Sequence, residues 1–344
     1  MSGHTRRDVF RMGFAAAAVG ATGKWMFTDP AFASANSAAA TGSAPFIPYS
    51  AGSFLKSRLT GAPVDAARTA KFRSFMASYP DQKPYPHPRI NGVGGNAWGT
   101  AYAMGEATDP VWKLTGSVPS KCGVLSSKGF HAPEWLGQMF SGTNDSPFCV
   151  IDRGSGMTVF AANAKASSNH TISVSSVGLM YHSSNGLHYK NPRSDDSRNS
   201  TSRGRISESL VIRRDLVDYG IANNTDLGHV LEIFLALTDA RDGFCNPMVG
   251  CESKNTGGFG AEGERIAIAP SVDVTKRGLS PAGVVIARTL QNYGCYIGDN
   301  SGSSSALKAE QENTVRPVWG GMLNQDSLKG LTWNDFNVVS RGWQ

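Results

Sequence analysis

The ionisable residues that stand out in this chain lie between positions 229 and 299. His229 and Glu232 are the only ionisable side chains in the apolar run 228–238. Glu252 follows a loop bracketed by Cys245 and Cys251, Glu264 opens an alternating apolar run, and Asp299 ends another. Hydrolysis of a glycosidic bond normally takes two carboxyl groups across the scissile bond, one as acid and one as nucleophile or base. Asp299, Glu252, Glu232 and Glu264 are candidates for that pair, with His229 as a proton carrier or orienting group. An elimination would instead need a His or Tyr base and a group that neutralises a uronate, roles open to His229, Tyr296 and Arg265. Candidate substrate contacts are Arg265, Asn300 and Tyr296 beside these acids, with His182 and Asn185 from the polar stretch 182–205. That stretch mixes Tyr181 and Tyr189 with Asn, Asp, Ser and Arg. Such a mixture suits a sugar, whose ring faces stack while its hydroxyls seek polar partners. Each residue also has a plain structural reading. Asp299 before Asn300-Ser301-Gly302 suits a turn. His229 suits a satisfied core position, and Glu264 a surface charge.

The elements that must position these groups can be traced from period and punctuation. An imperfect amphipathic helix is expected over 206–221. A buried strand over 228–238 follows, on which His229 and Glu232, three apart, point to opposite faces. A strand is expected at 264–269. Ser280-Pro281 then offers a capping hydroxyl and a first-turn proline for a helix that Gly294 terminates. Upstream, Asp65 can cap a helix reaching Tyr79, with Phe72, Phe75, Met76 and Tyr79 on one face. The prolines from Pro80 to Pro88 stop it. Residues 148–152 and 157–161 flank Arg153-Gly154-Ser155-Gly156 and read as a hairpin. Residues 171–175 alternate in period two, 177–182 suggest a further strand, and a last strand at 333–339 would close a sheet.

The totals narrow the function classes. The 344-residue chain carries 39 glycines and 17 prolines, which favours turns and strands over a helical bundle. Its net charge is +6. The Lys and Arg residues are scattered, so no nucleic-acid footprint is indicated. The run Gly92-Val93-Gly94-Gly95 lacks the Lys-Ser/Thr and the strand-turn-helix setting of a nucleotide loop. Gly154-Ser155-Gly156 lacks the spacing of a nucleophile elbow. No haem, iron–sulfur or flavin signature occurs, so no cofactor is expected. The five cysteines, at 122, 149, 245, 251 and 295, form no C-x-x-C pair, and no metal site is expected. In an oxidising compartment Cys245 and Cys251 could close a small loop and Cys122 could join Cys149. Spacing alone does not fix the pairing. A second function class is a carbohydrate-binding module in which Trp98, Trp112, Trp135, Trp319 and Trp333 form a stacking platform.

The first residues read as an address. Thr5-Arg6-Arg7-Asp8-Val9-Phe10-Arg11 resembles the twin-arginine export signal, with Val9 where Phe is usual. The apolar run that follows is too short and alanine-rich for a permanent anchor. Ala31-Phe32-Ala33 and Ala33-Ser34-Ala35 offer cleavage sites. The resemblance implies passage through the twin-arginine translocase and a secreted, extracellular location, with no membrane association of the mature form. A second resemblance covers 203–302. Gly228-His229-Val230-Leu231, Gly263-Glu264-Arg265, and Tyr293-Gly294 through Asp299-Asn300 resemble a group of exported bacterial proteins, some of them parts of polysaccharide-associated proteins. That resemblance implies an extracellular β-rich protein and lends support to a glycan partner. The expected organisation is a signal over 1–35, a flexible lead-in over 36–52, and one domain over 53–344. Its expected class is mainly β with helices (α+β), a two-sheet β-sandwich or jelly roll decorated by two or three helices. The expected function is polysaccharide-directed, as a glycoside hydrolase or polysaccharide lyase.

Overall fold

A computed structural model of the chain describes residues 43–343 apart from 144, 168, 187–208 and 253. The signal at 1–35, the start of the lead-in, and His188, Tyr189 and Ile206 lie outside the described residues.

The described strands form three sheets. The largest has six strands in the order β1 (Arg89–Asn91), β13 (Ala306–Lys308), β10 (Leu231–Leu235), β12 (Cys295–Asn300), β11 (Arg265–Ile268), β14 (Phe336–Val338). A second holds β2 (Ala101–Gly105), β5 (Phe148–Asp152), β6 (Met157–Ala162) and β9 (Ser176–Tyr181) in that order. The third runs β4 (Phe130–His131), β3 (Val111–Gly116), β8 (Thr171–Val174), β7 (Lys165–Ser167). Among the described residues four α-helices accompany them: α1 (Ala66–Ser78), α2 (Val124–Ser127), α3 (Arg214–Ala222) and α4 (Pro281–Asn292). The α+β class therefore holds. The expected two-sheet sandwich is not established by this topology. There are three sheets, and each contains a parallel pair (β1 with β13, β10 with β12, β2 with β5, β3 with β8), unlike an antiparallel jelly roll.

Helices α1, α3 and α4 cover one face of the six-stranded sheet. Phe72 and Met76 of α1, Leu216 and Val217 of α3, and Val285, Ile286 and Leu290 of α4 share a cluster with Ile233, Ile266, Ile297 and Leu307. The helix ends follow their local chemistry. Asp65 accepts from Arg68 N (2.9 Å) at the start of α1, and Ser280 accepts from Gly283 N (3.1 Å) at the start of α4. Gly294 then takes φ 66°, which an L side chain resists. Helices α3 and α4 touch closely, because a β-carbon at Gly220 would stand 2.6 Å from Val285 Cγ1. Both four-stranded sheets feed one separate cluster that includes Trp112, Leu114, Phe148, Val150, Val159, Ile172 and Leu179. The two parts meet across a third cluster, where Phe160 and Met180 contact Leu210, Val230 and Tyr296, with Tyr49, Phe54 and Leu55 between.

Several boundaries differ from expectation. Strand β10 covers Leu231–Leu235 only; His229 precedes it, after Gly228 at φ 78°. Helix α3 starts at Arg214, while Ile212 is extended and bridges Ala309 in parallel. The amphipathic spacing continued upstream of the helix because Leu210 and Ile212 are buried for sheet contacts. Trp333–Asp335 is a 3-10 turn, and only Phe336–Val338 pairs as the closing strand, with β11. The lead-in is packed before residue 53: Tyr49 is buried, and Ser50 N donates to Ser184 O (2.9 Å).

Among the described residues the five cysteines form no disulfide. For Cys122 and Cys149 the reason is the pleat. Phe148 and Val150 face the cluster that holds Cys122, while Cys149 and Ile151 face the opposite side with Tyr102 and Val211.

Candidate functional site

The parallel neighbours β10 and β12 carry the most suggestive pair of acids. Their register aligns Glu232 with Tyr296 and Ile233 with Ile297, then slips so that Phe234 faces Asp299. The extra residue is Gly298, at a β-bulge, a device that redirects side chains. Ile233 and Ile297 point to the helices. Glu232, Phe234 and Asp299 therefore share the other face, towards the four-stranded sheets. From strand spacing and rise, the Cα atoms of Glu232 and Asp299 are about 8 Å apart.

The Glu232 carboxylate lies directly over Gly298. A β-carbon built there would stand 1.7 Å from Glu232 Oε1, so only glycine admits this arrangement. Glu232 is 2% exposed, whereas Phe234, Asp299 and Lys308 are half-buried. Lys308 of β13 places its Nζ 4.1 Å from the centre of the Phe234 ring. Asn300 N donates to Asp299 Oδ1 (2.7 Å), and Thr238 Oγ1 donates to Asn300 Oδ1 (3.0 Å). Asn300 Nδ2 is buried with no hydrogen-bond partner among the described residues. Asp299 and Phe234 thus sit towards the carboxyl ends of two parallel strands, where departing loops open a crevice in α/β sheets.

The remaining sequence candidates lie elsewhere. Glu264 is buried and fully engaged: Arg68 Nη2 donates to its Oε2 (2.7 Å), Ala261 N to the same oxygen (3.0 Å), and Arg341 Nε to Oε1 (3.4 Å). Arg68 also binds Asp242 (2.9 Å). Burial opposes the Arg68 charge, but Asp242 and Glu264 outweigh it and raise its pKa. Glu264 therefore joins α1, the loop before β11 and the C-terminal residues. Glu252 is half-buried, and its N–H donates to Glu262 Oε1 (3.0 Å).

His229 is 1% exposed at the amino-terminal end of β10, the opposite end from Phe234 and Asp299. Its Nδ1 lies 2.7 Å from Val230 O, so Nδ1 carries the proton and Nε2 is left buried without a hydrogen-bond partner among the described residues. Burial pushes its pKa down to about 4. Arg265 places its guanidinium carbon 5.2 Å from the centre of the Tyr296 ring and donates to Tyr293 O (2.7 Å) and Ser57 Oγ (2.9 Å). Burial raises the Tyr296 phenol pKa, the wrong direction for a base. The elimination set His229, Tyr296 and Arg265 is thus buried, and Arg265 is committed to its own partners. His182 packs against Phe46 (centroids 5.1 Å apart) at the tip of the β5–β6 hairpin, and burial lowers its pKa to about 4. Asn185 follows it, half-buried. Of the platform tryptophans, Trp112, Trp319 and Trp333 are core residues.

Sequence reasoning missed one polar cluster. His131 Nδ1 lies 3.2 Å from both Asp152 Oδ1 and Ser155 Oγ. The combination of residue types suggests a nucleophilic triad, but both partners meet the same ring nitrogen. A carboxylate only accepts, so Nδ1 must donate to Asp152 and cannot take the Ser155 proton. Asp152 also accepts from His131 N and Ser155 N (both 2.9 Å), as a turn-forming carboxylate does. The contact joins β4 to a hairpin residue 21 positions away, which no local pattern announces.

Among the described residues no group of three or more His, Cys, Asp or Glu side chains is placed to hold a metal, and no helix is long and apolar enough to cross a membrane. No protein-family model, curated protein or solved structure matches the chain.

Proposed function

We propose that this chain is an exported, polysaccharide-directed hydrolase that cleaves glycosidic bonds with Asp299 and Glu232. The observation that carries the reading is the shared face of these two carboxylates on neighbouring parallel strands. Their Cα separation of about 8 Å is compatible with a carboxyl pair that protonates the leaving oxygen and attacks, or activates water at, the anomeric carbon. Glu232 takes the place that Glu252 and Glu264 held as candidate partners, since Glu264 is engaged by Arg68, Arg341 and Ala261 N. Asn300 is kept as a substrate contact beside Asp299. Export through the twin-arginine translocase belongs to the same proposal and rests on Arg6-Arg7 and the apolar run after them. The two four-stranded sheets, which share one apolar cluster, are read as a sandwich-like module carried beside the mixed sheet.

Hydrolysis is favoured over elimination because Arg265, the group that would neutralise a uronate, is tied to Tyr293 O and Ser57 Oγ, and burial raises the phenol pKa of Tyr296. It is favoured over a tryptophan platform because three of the five tryptophans are core residues. The test is incubation of the mature chain with a polysaccharide panel, recording new reducing ends and the ultraviolet absorbance of unsaturated uronates. Reducing ends without the absorbance are expected, with loss of the signal in Asp299→Asn and in Glu232→Gln. Cleavage that survives both substitutions would remove this pair from the reaction. Binding without cleavage would leave a carbohydrate-binding module.

A further inference from the structure

Arg265 and Lys308 share the sheet face of the candidate acids; Arg265 is already held by Tyr293 O (2.7 Å) and Ser57 Oγ (2.9 Å), which leaves Lys308. Its ammonium rests over the Phe234 ring at 4.1 Å, and Phe234 is the register partner of Asp299. Phe234 thus stands between the lysine and the acid. The side chain is half-buried, and no carboxylate pairs with it among the described residues. The acid that follows on the same face of its strand is unavailable, because Glu310 binds Arg316 and accepts from Arg214 N (3.1 Å). A ring face holds a cation in position without neutralising it, because the attraction comes from the ring quadrupole and not from a counter-charge. A partly desolvated ammonium fixed in this way is a ready partner for an anion arriving from solvent, where charge-assisted hydrogen bonds are strongest.

We propose that Lys308 forms an anionic subsite of the candidate cleft, and that the glycan taken there carries a carboxylate or a sulfate on the sugar next to the scissile bond. This inference rests on the reading of Asp299 and Glu232 as the reacting pair, and it adds the substrate class to it. With Phe234 already capped by the ammonium, the ring supports the lysine and does not offer an open stacking face. A neutral sugar would leave the lysine without an anion. Lys308 is a specificity residue in this account and takes no part in bond cleavage.

The test uses the full mature chain and calorimetric titration with four probes: a galacturonate oligomer, its methyl ester, dextran sulfate and dextran. Preference for the free acid over its uncharged ester by about ten-fold or more is expected if the anion is a carboxylate. The same preference for dextran sulfate over dextran is expected if it is a sulfate. Lys308→Met should bring charged and neutral probes to near-equal affinity, while Lys308→Arg keeps the preference. Equal binding of charged and neutral probes by the wild type overturns the proposal without reference to any variant. A preference that survives Lys308→Met overturns it as well. The two proposals can fail separately. Lys308-dependent binding without new reducing ends removes hydrolysis and leaves the subsite, whereas cleavage confined to neutral glycans does the reverse.

Discussion

The carboxylate of Glu232 occupies the place where residue 298 would carry its β-carbon. A Cβ at Gly298 would lie 1.7 Å from Oε1 and 2.3 Å from Cδ, so the glycine and the acid form one packed unit across two parallel strands. Because the bulge at this glycine also sets Asp299 opposite Phe234, the same residue governs both members of the candidate pair.

Gly298→Ala should therefore displace Glu232. Overpacking of this kind costs about 1–3 kcal/mol, which urea denaturation would read as a lower midpoint with an unchanged slope. Cleavage should fall with it. Adding Glu232→Ala to Gly298→Ala should recover part of the lost stability, since the clash disappears. Additive losses in the double variant would mean that the two residues do not share the space.

Acid should weaken the fold through His229. Its folded pKa is about 4 against an ordinary value of 6.5, because burial disfavours the charged ring. The unfolded chain then binds more protons than the folded one between those values. Stability is accordingly full above about pH 6.5, declines as the pH falls to about 4, and levels off below. The shift corresponds to a loss on the order of 3 kcal/mol. His182, lowered to about 4 by its own partial burial, adds to the same window. His229→Asn keeps a donor for Val230 O without the titration, so denaturation across this range should show a shallower decline. An unchanged decline would place the acid sensitivity elsewhere.

The two arginines on Glu264 should differ sharply in cost. Arg68 is largely buried, and removing it in Arg68→Met leaves a fully buried carboxylate short of its main partner, at a cost of about 3–5 kcal/mol. Arg341 is 40% exposed, and Arg341→Ala should cost at most about 1 kcal/mol. Equal losses in urea would show that Glu264 does not depend on Arg68.

Thiol labelling should separate the cysteines. Cys122, Cys149 and Cys295 are buried, and burial raises the pKa of Cys245 to about 11, so these four should alkylate slowly in native protein at neutral pH, with half-buried Cys251 the first to react. The unfolded chain, untreated with reductant, should take up label at five positions. Fewer labels would reveal a disulfide, and Cys245 with Cys251 would be the first pair to examine.

Local chemistry made much of the framework legible. The cap at Asp65, the Ser280-Pro281 start and Gly294 stop of α4, and the hairpin at 148–161 are each specified by residues a few positions apart. The same holds for the acids, since an ionisable group in an apolar run, such as Glu232 or His229, is conspicuous wherever it folds. What the sequence could not convey is which of these groups meet. Period-two alternation assigns side chains to faces only while a strand stays regular, and β10 begins after His229 while β12 bulges at Gly298. Those two departures, set by pairing between segments about 65 residues apart, separate His229 from the candidate cleft and turn Asp299 to the side of Glu232. Register is a long-range property: a slip of one residue moves a side chain to the other face, and only the packed neighbours on each side decide where it is placed.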